Sequence, residues 1–88
     1  MSYSLTFSDT FKRHFEDFTD KQKKQIRNKL KILVENPAHP SLRVKRIKGT
    51  ASLWEMSANM DIRIIFEFSD GTIIILVDVG HHNILKKY

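Results

Sequence analysis

The stretch DIRIIFEFSDGTIIILVDVGHHNILKKY, residues 61–88, decides the fold of this chain. Its first segment is apolar at alternate positions, namely Ile62, Ile64, Phe66 and Phe68. Period-2 alternation is typical of a half-buried strand. Asp70 and Gly71 then predict a tight turn, because both residue types tolerate positive φ. Ile73 to Val79 is apolar at nearly every position, which predicts a central strand covered on both faces.

The end of this second strand carries the candidate chemistry. Gly80 ends the strand and is followed by His81 and His82 and by a tail that closes in Lys86-Lys87-Tyr88. In a hairpin the end of one strand lies beside the start of its partner. We therefore expect Arg63, on the first strand, to converge with the histidines at one sheet edge.

Upstream, the sequence predicts one strand and two helices. Tyr3 to Phe7 alternates as a short strand, and Ser8 or Asp9 can cap a helix by accepting from its first free N–H groups. The core stripe of that helix is Phe11, Phe15 and Phe18. Thr19 and Gln22 fit a capping box that opens a second helix. The buried face of the second helix is predicted to be Ile26, Leu30, Leu33 and Val34.

Two further strands complete the predicted order. Asn36-Pro37 ends the second helix, because proline disfavours helical backbone before it. Leu42 to Lys48 is expected to form a basic edge strand and Leu53 to Ser57 the next strand. The order β-α-α-β-β-β-β predicts one α+β domain over residues 1–88, with a helical hairpin packed on an antiparallel sheet in two layers. The other sheet face is expected to carry some of Arg46, Lys48, Glu55, Arg63, Glu67 and Asp78.

Composition narrows the functional classes. The chain has 88 residues, a net charge of +5 and a pI near 9.7, which favour a polyanionic partner such as nucleic acid or an acidic protein. It has no cysteine, so disulfide and cysteine–zinc scaffolds are excluded. No run of residues predicts a membrane span or a signal segment, and we expect a cytoplasmic protein. No metal site is predicted, since adjacent His81 and His82 point in different directions.

The residues Arg63, His82 and Tyr88 suit RNA cleavage without a metal. A histidine can move a proton near neutral pH, and an arginine can hold the phosphate as its negative charge grows. The companions of this set would be Lys45, Arg46, Lys48, Glu55 and His81. Structural alternatives remain open. Arg63 can form a salt bridge to Glu55 or Asp78, His82 a loop-end hydrogen bond, and Tyr88 a ring packed on the sheet.

The chain resembles the RelE/ParE superfamily of toxin–antitoxin toxins. The resemblance covers the element order, the W-E-x-S strand leading into R-I-I-F, and the ending G-H-H-N-I-L. It is similar to the RelE and YafQ-like ribonuclease branch, where a basic residue two positions after the glycine takes part in cleavage. That position is His82 here. The resemblance also implies that Arg63 holds the scissile phosphate and that Tyr88 sits where many members carry a catalytic tyrosine.

One departure from the family pattern concerns the middle strand. RelE carries lysines there, whereas this chain has Trp54-Glu55-Met56, so that role is unfilled unless Glu55 or the basic strand at Lys45 to Lys48 substitutes. The fold also hosts ParE-type members that inhibit DNA gyrase and lack the nuclease residues. We predict a ribosome-dependent mRNA endonuclease, with a gyrase inhibitor or an inactive antitoxin-binding member as alternatives.

The resemblance implies partners but no cofactor. Such toxins are held inactive by an antitoxin, often acidic, in a hetero-oligomer, and RelE-like members act on mRNA in the ribosomal A site. Lys45, Arg46 and Lys48, with Lys86 and Lys87 of the tail, are predicted to position RNA.

Overall fold

The computed structural model describes residues 2–88. Its helices are α1 (Asp9–Phe15) and α2 (Asp20–Glu35). Its strands are β1 (Ser4–Phe7), β2 (Lys45–Arg46), β3 (Trp54–Ser57), β4 (Ile62–Ser69) and β5 (Ile73–His81). Short 3₁₀ helices cover Pro40–Leu42 and His82–Lys87. The predicted α+β order is confirmed.

One five-stranded sheet has the order β1-β5-β4-β3-β2. Strands β2 to β5 form the predicted antiparallel meander, and β1 pairs in parallel with β5 from Ser4 opposite Ile73 to Phe7 opposite Leu76. The parallel edge follows from the two helices, which give the chain the length to cross from one sheet edge to the other. Strand β5 is interior, as predicted.

The predicted helix caps are present. The Ser8 hydroxyl accepts from the Phe11 N–H at 3.0 Å and begins α1. Thr19 and Gln22 exchange both bonds of a capping box at the start of α2, at 3.2 and 2.9 Å. Asn36 follows the last helical residue, as the proline at 37 predicts.

The main core lies between the helices and one sheet face. Its fully buried members include Ile26, Leu33, Ile64, Phe66 and Leu76. Phe11 and Phe18 are buried there, whereas Phe15 and Val34 are only partly buried. The predicted core residues are largely confirmed, but Phe18 lies beyond the end of α1 rather than on its helical stripe. This packing fixes the parity of β4 and so turns Arg63 to the opposite face.

The sheet face opposite the helices carries Glu55 and Arg63, two of the polar residues expected there, but it is not polar throughout. A second apolar cluster lies there, built on Ile47, Ile65 and Ile84. The 3₁₀ helix His82–Lys87 folds back over this face and brings Ile84, Leu85 and Tyr88 onto the cluster. The alternative in which the Tyr88 ring packs on the sheet is thus present, whereas the packing of Ile84 and Leu85 on this face was not predicted.

The basic strand is shorter than predicted. Only Lys45–Arg46 pairs with β3, because the preceding residues form a 3₁₀ turn and Arg43 takes a left-handed conformation with φ of 51°. Arg46 lies opposite Trp54 and therefore shares the helix-side face, where its guanidinium stacks 5.3 Å from the Trp54 ring centroid. Arg46 is therefore not among the polar residues that the opposite face carries. The predicted complete coverage of β5 is wrong, since Ile75 and Val77 are only half-buried.

Candidate functional site

An open cleft of about 520 Å³ lies on the sheet face opposite the helices, beside the C-terminal 3₁₀ helix. Strand register creates it: Lys45 pairs with Glu55, Ser57 with Arg63, and Arg63 with Gly80. The lining residues are Arg43, Lys45, Glu55, Ser57, Met60, Arg63, His82 and Leu85. The structure thus brings together four of the residues singled out from the sequence, which are Lys45, Glu55, Arg63 and His82.

Arg63 is anchored by backbone rather than by an acid. Its Nη1 donates to the carbonyl oxygen of Asn59 at 2.9 Å and to that of Ile62 at 3.2 Å. Within residues 2–88 it makes no ion pair, so the alternative of a salt bridge to Glu55 or Asp78 is wrong. The guanidinium is held in place while its other N–H groups can still bind an anion in the cleft.

Asp61 holds His82. The His82 Nδ1 lies 2.9 Å from Asp61 Oδ1, and His81 Nδ1 contacts the other carboxylate oxygen. These bonds, first that of His82 and then that of His81, lower the pKa of Asp61 to about 2. The carboxylate therefore keeps a proton on Nδ1 of His82 and leaves Nε2 for a ligand. The His82 side chain remains 71% exposed.

Asp61 was missed in the sequence. The register pairs Ile62, the first residue of β4, with His81, the last residue of β5. Asp61, which precedes β4, therefore lies beside His81 and His82. An acid at that position, facing two histidines across a hairpin, was the available signal. His81 differs from His82 in its surroundings, because its ring lies 5.4 Å from that of Phe18 and it does not line the cleft.

Glu55 is the buried acid of the cleft, with only 8% of its surface exposed. It lies on β3 opposite Lys45 on one side and Ile65 on the other. Within the described residues its carboxylate forms no ion pair. A carboxylate in this position can exchange a proton with a ligand in the cleft.

Tyr88 does not line the cleft. Its hydroxyl donates to Asp78 Oδ2 at 2.8 Å, and its ring packs on the apolar cluster of Ile65 and Ile84. Asp78 is 1% exposed and also binds the His14 Nδ1 at 2.6 Å. Burial, together with the nearby Asp78 carboxylate, raises the pKa of Tyr88 to about 12. Tyr88 therefore ties the C-terminal segment to α1 through a buried carboxylate.

The predicted RNA-binding residues divide between several surfaces. Lys45 lines the cleft, whereas the Arg46 guanidinium donates to the Thr50 and Ala51 carbonyls on the other face. Lys48, Lys86 and Lys87 are exposed outside the cleft. Arg43 lines the cleft although it was not singled out as a site residue, because its position depends on the left-handed turn. Within residues 2–88 no group of three or more His, Cys, Asp or Glu residues is arranged to hold a metal ion.

Comparison with known families identifies the chain. Residues 5–85 match the model of the ParE toxin of the type II toxin–antitoxin system parDE. The chain belongs to this family of toxins, within the RelE/ParE superfamily. The match spans both helices and all the strands named above except the first residue of β1. No curated protein sequence matches the chain significantly.

Solved toxin structures share the fold. The RelBE2 toxin–antitoxin complex of Mycobacterium tuberculosis superposes with a TM-score of 0.78 at 15% identity, covering 93% of this chain and 100% of that one. The YoeB dimer of Staphylococcus aureus gives 0.76 at 21% identity, covering 93% and 99%. The DinJ–YafQ complex of Escherichia coli gives 0.77 at 12% identity, covering 97% and 98%. These likenesses establish the RelE-like fold. None of the helices in residues 2–88 has both the length and the apolar character that a membrane crossing requires.

Proposed function

We propose that this toxin is an mRNA endonuclease that inhibits translation. The observation that supports the proposal is that one cleft holds the backbone-anchored Arg63 and the Asp61-held His82. In the cleavage step a ribose 2′-oxygen loses its proton and attacks the adjacent phosphorus. The 5′-oxygen then leaves and takes up a proton, which gives a 2′,3′-cyclic phosphate and a 5′-hydroxyl.

Each part of this step has a candidate group in the cleft. The free N–H groups of Arg63 can bind the non-bridging phosphate oxygens, whose charge grows in the transition state. His82 Nε2 can take or give a proton, since Asp61 fixes the other nitrogen. Glu55 is the candidate for the complementary proton transfer, and Lys45 for holding the RNA backbone. Tyr88 remains a sequence-based prediction of a catalytic residue.

The proposed substrate is mRNA on the ribosome, with the A site as its location. The cleft is open and the side chain of His82 is mostly exposed, so a message positioned by a larger assembly can enter it. A cytoplasmic site of action follows from this substrate. The proposed inhibitor is an acidic antitoxin, since the chain carries +5 and the structures from M. tuberculosis and E. coli were solved as toxin–antitoxin complexes.

A second candidate function is inhibition of DNA gyrase without RNA cleavage. It is favoured by the description of the matching family model, which is named for ParE. The geometry favours the nuclease, because gyrase inhibition gives no reason for an arginine and an oriented histidine to share a cleft.

Purified toxin distinguishes the two functions. It would be added to a translation extract with a defined message, to the same RNA without ribosomes, and to a gyrase supercoiling reaction. The nuclease proposal predicts cuts in the translated message, none in the free RNA, and unchanged supercoiling. Uncut message with loss of supercoiling would support the gyrase inhibitor. Uncut message with normal supercoiling would leave an inactive, antitoxin-binding member.

A further inference from the structure

A second concavity of about 450 Å³ adjoins the cleft. The two share Arg43, Ser57, Met60 and Arg63 in their linings. The second concavity then extends away from His82, toward Lys29 of α2 and Ser41. A ligand bound at Arg63 can therefore continue into this space without leaving the protein surface.

The lining of the second concavity is positively charged. It contains Lys29, Arg43 and Arg63 and no acidic residue. The Lys29 amine lies 3.3 Å from the Ser41 carbonyl oxygen, which holds it at the site. Within residues 2–88 Arg43 makes no ion pair, so its guanidinium is available to an anion.

The backbone places Arg43 at this junction. Arg43 ends the 3₁₀ helix Pro40–Leu42, and its N–H donates to the Pro40 carbonyl at 3.2 Å. Its φ of 51° lies in the left-handed region, which glycine, asparagine and aspartate adopt more easily than other residue types do. Because glycine would adopt this conformation more easily, the presence of an arginine here points to a function for its side chain.

Met60 stands at the shared rim with 94% of its surface exposed. Its loop is nevertheless fixed. Asn59 Oδ1 accepts from the N–H groups of Asp61 and Ile62 at 2.8 and 2.7 Å, and Asn59 Nδ2 donates to Gln25 at 2.9 Å. An apolar side chain that is exposed to solvent on a hydrogen-bonded loop, between two concavities lined by cations, is suited to contact a nucleobase.

We infer that the second concavity is a phosphate subsite for the nucleotide next to the scissile phosphate. Arg43 and Lys29 bind the neighbouring phosphate, Arg63 binds the scissile one, and Met60 contacts the base between them. The inference rests on the proposed nuclease function for the meaning of the scissile position. Binding of two successive phosphates would fix the direction of the RNA across the cleft.

The test uses dinucleotides that lack the 2′-hydroxyl and so cannot be cleaved by this chemistry. Three forms are compared by NMR titration at low salt: without a terminal phosphate, with a 5′-phosphate and with a 3′-phosphate. We expect one terminal phosphate to tighten binding roughly tenfold, as a charge-assisted contact at low ionic strength can. The amide signals of Ser41 and Arg43 should shift only with that form.

Arg43→Asn and Lys29→Gln should each reduce this gain, and asparagine tolerates the left-handed backbone at position 43. Lys21→Gln is the matched control, because Lys21 is an exposed α2 lysine that lines neither concavity. Thermal unfolding of each variant checks that it folds. No gain from either terminal phosphate, or a full gain in both variants, would overturn the subsite, and a full gain in one variant removes that residue from it.

The two proposals can fail separately. If Arg63-dependent cleavage of translated message is present but the terminal phosphate gives no gain, the subsite is wrong and the nuclease stands. If the gain depends on Arg43 and Lys29 but no message is cut, the phosphate subsite stands and the nuclease function is wrong.

Discussion

At the scale of single residues, Arg63 carries the strongest prediction. Arg63→Ala should reduce message cleavage by about 100-fold or more, because it removes the donor to the charged transition state. Arg63→Lys should lose most of the activity too, since lysine keeps the charge but not the planar fork. The Asn59 carbonyl also loses its Arg63 donor, whereas the Ile62 carbonyl still accepts from the Ala58 N–H, so we expect a stability loss of about 1 kcal/mol.

Cleavage in a translation extract and thermal unfolding measure the two effects of Arg63→Ala. Arg13→Ala, an exposed change on α1, is the control and should leave both unchanged. A folded Arg63→Ala variant with wild-type cleavage would remove Arg63 from the mechanism.

Asp61 gives a prediction about how the stability of the fold depends on pH. Its folded pKa, about 2, lies below its ordinary value of 3.8, so its ionised form stabilises the fold at neutral pH. This contribution is present above about pH 4 and is lost as the pH falls toward 2. Asp61→Asn should therefore show a smaller loss of stability on acidification. It should also cut message less, by roughly tenfold, because His82 is no longer held.

Urea unfolding between pH 7 and pH 2.5 measures the acid effect of Asp61→Asn. Asp70→Asn is a suitable control, because Asp70 is exposed in the β4–β5 turn and pairs with no histidine within residues 2–88. Acid curves that coincide for the wild type and Asp61→Asn would contradict the role given to Asp61.

A substitution at Tyr88 distinguishes a structural role of this residue from a catalytic one. Tyr88→Phe leaves a buried carboxylate oxygen without its donor and should cost about 1–2 kcal/mol of stability. The raised pKa means that the neutral hydroxyl stabilises the fold below pH 10 and that this part is lost as the pH rises toward 12. The variant should lack that alkaline loss and keep most of its cleavage. A cleavage loss of about 100-fold with unchanged stability would instead support a catalytic Tyr88.

At the scale of elements, Gly80 controls how the C-terminal 3₁₀ helix packs. A Cβ at position 80 would lie 2.9 Å from Ile84 Cδ1 and 3.3 Å from Ile84 Cβ. Gly80→Ala should therefore push this helix off β5, cost about 1–2 kcal/mol and lower cleavage by displacing His82. Gly71→Ala is the matched control, since a Cβ added at position 71 would meet no atom of the described residues within 4 Å beyond Gly71 and its two chain neighbours. Equal unfolding midpoints for the two variants would contradict this packing.

The elements that the sequence predicted well are those fixed by neighbouring residues. The capping box at Thr19, the helix end at Pro37 and the β4–β5 turn depend on a few adjacent side chains. The shortening of β2 depends on the 3₁₀ turn and the left-handed Arg43 before it, which the residue pattern of 42–48 does not indicate. The parallel pairing of β1 depends on what lies across the sheet, and a sequence pattern does not contain that information. The packing of Ile84 beside Ile65 was missed for the same reason, although a Tyr88 ring packed on the sheet was one of the alternatives.

The candidate site was predictable in part. Arg63 and His82 could be paired because a hairpin brings the start of one strand to the end of the next. Predicting that Asp61 contacts the histidines would have required the strand register. Predicting that Tyr88 lies outside the cleft would have required its hydrogen bond to the buried Asp78.

At the scale of the whole molecule, the two faces of the sheet have different roles. The helices cover one face and form the main core with it, and the other face is partly covered by the C-terminal segment and partly open as the cleft. The net charge of +5 suits both an RNA backbone and an acidic antitoxin.

The chemistry of the RNA ends tests the central claim most directly. The toxin and its Arg63→Ala variant would each be induced in growing cells without an antitoxin, and new RNA ends would be mapped by methods that separate 5′-hydroxyl from 5′-phosphate ends. Attack by the 2′-oxygen predicts new 5′-hydroxyl ends, paired with 2′,3′-cyclic phosphates, inside translated regions and absent in the variant. Growth arrest with intact messages, or with cuts that persist in the folded variant, would contradict the account.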